Sequence, residues 1–141
     1  YYCNQHAKEL EPIFLAQLRS GIKLNLCLVE AFFDDTIRCG ALVKEWLAEN
    51  SSARVEDLLT ATVLQAYTTL STFEFELCEI AVDRATSYAE RCSLGYLKAW
   101  PQCVAGLMEM QRANLQEAAN HFIRGVNYTN KYANESSYLP H

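Results

Sequence analysis

Between Leu59 and Ile80 the apolar residues Leu59, Val63, Ala66, Leu70, Phe73, Leu77 and Ile80 recur at alternating spacings of four and three. That period keeps all seven on one stripe of an α-helix, whereas a strand would scatter them over both faces. The pattern predicts one long helix packed along a neighbour at a shallow angle, with a bend, if any, in the hydroxyl-rich stretch Thr68 to Thr72. The rest of the 141-residue chain agrees, because it holds only five glycines and three prolines, the residues that most often interrupt regular structure.

Those few breakers suggest where the helices divide. Pro12 suits the first turn of a helix carrying Ile13, Phe14, Leu15 and Leu18, which Gly21 would close. A second helix is expected from about Ile22 to Asn50, with Leu28, Phe32, Cys39, Val43 and Trp46 on one stripe. After the Asn50-Ser51-Ser52 turn, Ser52 is the candidate N-cap of the long third helix, with Glu56 and Asp57 at its positive end. A fourth runs from about Asp83 to Cys92. Beyond the Gly95 turn, Pro101 opens a last long helix with the stripe Cys103, Leu107, Met110, Ala118, Phe122 and Val126. From about residue 127 the Tyr-, Asn- and Ser-rich tail is expected to fray, and no internal repeat is visible. The expectation is an all-α, disulfide-stapled up-and-down bundle of about five helices, in a single domain spanning 1–141.

Six cysteines in a chain of this size, an even number, are the arithmetic of a disulfide framework formed in an oxidising compartment. Three Asn-x-Ser/Thr sequons, at Asn50, Asn127 and Asn134, point the same way, as does an opening Tyr1-Tyr2-Cys3 that reads as a processed N-terminus. Together they predict a secreted, extracellular glycoprotein. No apolar run approaches the roughly 20 residues of a membrane span. A net charge of -5 with scattered lysines and arginines disfavours nucleic acid as a partner.

Helix geometry restricts the pairing of the cysteines. On one straight helix Cys27 and Cys39 would lie about 18 Å apart, out of reach of each other. Residues level across an antiparallel hairpin share a constant sum of positions. A turn at Gly21 therefore favours Cys3 with Cys39, a turn at Ser51 favours Cys27 with Cys78, and Cys92 with Cys103 would staple the last connection. The first two bridges would close long loops, each worth about 3 to 4 kcal/mol on the chain-entropy model.

Catalytic chemistry finds little support. Of three histidines only His121 lies inside a predicted helix, with Glu117 one turn away, and that pair reads as a surface contact. There is no phosphate loop and no nucleophile elbow. Glu74, Glu76, Glu79, Asp83 and Glu90, like Asp34 and Asp35, read as solvated helix faces. The chain is expected to be no enzyme and to need neither metal nor cofactor. Most of the aromatic residues belong to the core, although Phe32, Trp46, Tyr67, Phe73, Tyr88 and Phe122 could line a cavity for a small hydrophobic ligand. Tyr128, Tyr132 and Tyr138 form a candidate contact surface in the tail.

An all-helical chain with six cysteines resembles the insect odorant-binding superfamily and its salivary relatives. The family spacing departs here, with eleven residues between Cys27 and Cys39 and ten between Cys92 and Cys103, so neither its pairing nor its ligand residues carry over. The chain also resembles in style the disulfide-bonded helical proteins that blood-feeding arthropods and parasites secrete. The resemblance implies a salivary or parasite effector that binds a protein partner and modulates host defence, with a hydrophobic-ligand carrier as the alternative.

Overall fold

The computed structural model describes residues 2–32 and 35–136, with side chains described for 12–31 and 35–132. Among the described residues there are six α-helices and no strand: α1 (Tyr2–Phe32), α2 (Thr36–Glu49), α3 (Val55–Ser71), α4 (Phe75–Arg91), α5 (Ala99–Gln111) and α6 (Leu115–Ser136). A 3-10 turn, Gly95–Lys98, joins α4 to α5. The chain is all-α, as expected, but with six helices rather than five.

The divisions after Asn50 and at Gly95 fall where expected, but the others do not. Pro12 and Gly21 both lie inside α1, which runs on to Phe32. What starts the next helix is Asp35, whose carboxylate accepts a hydrogen bond from the Arg38 N–H at 3.1 Å and so satisfies one of the unpaired amides at the N-terminus of α2. The seam from Leu59 to Ile80 is also cut, because α3 ends at Ser71 and the chain reverses through Thr72, Phe73 and Glu74. Leu59, Ala66 and Leu70 are buried, whereas Phe73, Leu77 and Ile80 are exposed. The last expected helix is divided likewise at Arg112 to Asn114, leaving Cys103, Leu107 and Met110 on the outside. Helix α6 continues through the expected frayed segment to Ser136.

The three pairs of consecutive helices are three versions of one hairpin. At the α3–α4 turn the amides of Thr72, Phe73, Glu74 and Cys78 donate to the carbonyls of Thr68, Leu70, Thr69 and Glu74. At the α5–α6 turn Arg112, Ala113, Asn114 and Ala118 donate to Met108, Met110, Glu109 and Asn114, every position shifted by 40. Phe73 and Ala113 share a left-handed backbone, with φ of 61° and 62°. At the α1–α2 turn Asp35 donates to Glu30 and Cys39 to Asp35, the same pattern 39 positions earlier than at Glu74 and Cys78.

Burial follows the same period. Cys27, Ala66 and Gly106 lie at equivalent buried positions of the first helices, and Cys39, Cys78 and Ala118 at equivalent buried positions of the second. Small side chains at these positions let each helix pair approach closely. Gly106 meets the ring of Phe122 so tightly that a Cβ there would lie 2.6 Å from it. Each helix packs chiefly on its neighbours in the chain, so the helical bundle is built of hairpins stacked in a line. The repeat escapes sequence inspection because, at a shift of 40 between 55 and 131, only Arg84 with Arg124 and Tyr88 with Tyr128 are identical.

Candidate functional site

The turns of the second and third hairpins lie side by side and enclose an open cleft of about 540 Å³, lined by Phe73, Glu74, Phe75, Glu76, Leu77 and Arg112. Phe73 and Phe75 meet edge to face, with ring centroids 6.3 Å apart and planes at 75°. The Arg112 guanidinium stacks over Phe75 at 5.3 Å from the ring centroid. It also bridges the two hairpins, pairing with Glu79 of α4 and Glu109 of α5, each at 3.3 Å. Its charge is thereby committed. Glu74 and Glu76 make no ion pair among the described residues, so the lining combines three apolar side chains with two carboxylates that no cation neutralises there.

Phe73 is the unusual member. A left-handed backbone costs an L-residue about 1 to 2 kcal/mol, which is why glycine usually fills this position after a helix. The turn demands the conformation, since Ala113 adopts it too, but it does not demand an aromatic ring. That ring is 68% exposed and adds almost nothing to the core.

Of the other expected cavity residues, Trp46 is buried among Leu24, Leu58 and Ala61, with its indole N–H donating to the Ser20 carbonyl at 2.9 Å. Tyr88 packs at the edge of that cluster and of the next. Tyr67 is half-buried on α3, and Phe122 is half-buried on α6 against Gly106. Phe32 lies outside the residues whose side chains are described. Of the six, only Phe73 lines the cleft.

The cysteines are not placed as expected. The five described ones, Cys27, Cys39, Cys78, Cys92 and Cys103, are unbonded. The expected Cys27–Cys78 bridge fails because Cys27 packs with Cys39, Val43 and Leu64, while Cys78 belongs to a separate cluster with Val104, Ala105 and Met108. In place of Cys92–Cys103, Cys92 is buried beside Leu59 and Leu97, and Cys103 is exposed on α5, facing Gly125 of α6. Cys3 lies outside the described side chains, so its pairing with Cys39 does too. The exclusion of Cys27 from Cys39 assumed one unbroken helix. With α1 ending at Phe32 and α2 starting at Thr36 the two come together, and the Cys39 thiol donates to the Cys27 carbonyl at 3.3 Å. Burial, followed by the nearby Cys27, pushes the Cys39 thiol up to about 11.

At the sequons, the Asn50 side-chain amide donates to the Trp46 carbonyl at 2.8 Å, Asn127 is exposed on α6, and Asn134 lies outside the described side chains. His121 pairs with Gln102 of α5 at 2.8 Å instead of with Glu117. Among the described residues no three His, Cys, Asp or Glu side chains are grouped to hold a metal ion. No helix among them is long and apolar enough to cross a membrane. No protein family, curated protein or solved structure matches the chain.

Proposed function

We propose that this chain is a non-enzymatic scaffold of stacked helical hairpins that acts by binding another protein at the cleft between its second and third turns. A period of 39 to 40 residues with two helices per unit is that of helical repeat proteins, which present extended surfaces to other chains. The observation that carries the proposal is Phe73, which places an exposed aromatic ring on the same left-handed backbone where Ala113 serves the equivalent turn with a methyl group alone. Aromatic anchors of this kind concentrate binding energy at protein interfaces. Glu74 and Glu76, which no cation neutralises among the described residues, favour a partner segment with an apolar anchor and a basic flank.

The substitution Phe73→Gly tests this, because glycine suits the left-handed backbone and leaves the fold intact. Crosslinking of the protein in its native source, followed by quantitative mass spectrometry, should show one protein adduct that Phe73→Gly removes. An unchanged set of adducts would refute the reading. The carrier of a small hydrophobic molecule is a second reading, favoured by a cleft whose size is that of ligand pockets. Native mass spectrometry that releases a small molecule on denaturation would select it.

The secreted, glycosylated state is a separate part of the proposal. The scaffold does not require oxidation, since its four buried thiols fill the core as small apolar side chains. Peptide mapping of Asn50 and Asn127 in the native protein tests whether the sequons carry glycans.

A further inference from the structure

The first and last helices each leave open a face that the repeat uses, elsewhere in the molecule, to join one hairpin to the next. In α3, Leu58 and Ala61 pack with Leu24 and Trp46 of the first hairpin, and Leu64 packs with Cys27, Cys39 and Val43. Thr68 lies 3.5 Å from where a Cβ on Gly40 would stand. Forty positions on, in α5, Val104 and Met108 join Cys78 and Val82 of the second hairpin, and Pro101 faces Thr86 and Ala89. These positions form the receiving side of every junction. Thirty-nine positions back from Ala61, Leu64 and Thr68 stand Ile22, Asn25 and Val29 of α1. Ile22 is 60% and Val29 45% exposed, with Leu18 and Leu26 exposed beside them. Among the described residues α1 packs only on α2 and α3, which cover its opposite side.

The far end of the stack carries the complementary face. The donor side of a junction uses Gly40 and Leu47 in α2, and in α4 Glu79, which pairs with Arg112, and Thr86, which faces Pro101. The equivalent residues of α6 are Ala119 and Val126, both exposed, and Ile123 beside them is exposed as well. Where α4 has Glu79 and Asp83, α6 has Ala119 and Ile123, so the outermost helix is more apolar at these positions than the inner one. Helix α6 packs only on α5 and the 3-10 turn among the described residues.

We propose that the occupant of each face is a second copy of this chain, joined head to tail, so that α6 of one copy lies on α1 of the next and continues the stack. The interface repeats the internal junctions, and one contact covers both apolar faces. It is heterologous, so it extends instead of closing. It uses neither Phe73 nor the cleft, and therefore stands or falls apart from the partner-binding reading.

Analytical ultracentrifugation from micromolar to millimolar concentration should show the average mass of the wild type rising without a plateau at the dimer. Ile22→Glu and Val126→Glu change exposed side chains only, and each alone should give a monomer with unchanged circular dichroism. An equimolar mixture of the two variants should give a dimer and nothing larger, because each supplies the face that the other lacks. A wild type that stays monomeric would overturn the proposal. So would oligomers that only Ile22→Glu abolishes, which would mean α1 pairing with α1, and so would a mixture that remains monomeric.

Discussion

Phe73 and Ala113 hold the same backbone angle at the same step of the same turn, which makes them a natural control for each other. Replacing Phe73 by glycine removes left-handed strain of about 1 to 2 kcal/mol and forfeits an edge-to-face contact with Phe75 worth about 0.5 to 1.5 kcal/mol, so the urea midpoint should move by the equivalent of no more than about 1 kcal/mol. Cys39 offers a test by pH. Its folded value of about 11 lies above the ordinary thiol value of 9.0, so the unfolded chain loses this proton first as pH rises. The associated stability is fully present below pH 9 and is lost as pH climbs through about 11. Urea midpoints across that window should fall more steeply for the wild type than for Cys39→Ala. Neither residue declares its role to a reader of the sequence. Phe73 fits the spacing of an apolar seam, and the cysteines are even in number, as in a disulfide-bonded protein, although Cys27, Cys39 and Cys78 stand where small side chains are needed.

At the scale of elements, helix content is plain from periodicity and most divisions between helices are not. The two turns within hairpins whose every residue is described, Thr72 to Glu74 and Arg112 to Asn114, contain neither glycine nor proline. Conversely, Pro12 and Gly21 sit inside α1. The Asn50-Ser51-Ser52 and Gly95 divisions carry local signals that could be read, whereas Asp35, which caps α2, passes for solvated surface as half of an acidic pair. The cleft is even less legible, because it draws Phe73 and Arg112 from two hairpins whose juxtaposition depends on stacking. The tight seat of Gly106 against Phe122 gives a prediction at this scale. Gly106→Ala should cost about 1 to 3 kcal/mol by overpacking, and a second change, Phe122→Leu, should recover part of it in a thermal melt.

A linear stack differs from a closed bundle in how it comes apart. Hairpins that touch only their neighbours unfold from the ends, and the exposed stretch of α1 from Ile13 to Leu18 has little to hold it. Native-state hydrogen exchange should therefore show the amides of this stretch exchanging well before those of α3 and α4. Equal protection along the chain would mean that the hairpins unfold as one unit. Within this line the joint between the second and third hairpins has its own fastening. Tyr132, near the end of α6, lays its ring where a side chain on Gly95 would go, with a Cβ there only 1.5 Å from a ring atom. From Leu115 to Tyr132, α6 is about 26 Å long, and Arg112 sits just beyond its far end. A rigid helix of that length moves its far end by about 0.5 Å for each degree of tilt, so a methyl group added at one edge of the molecule would be felt in the gape of a cleft at the other.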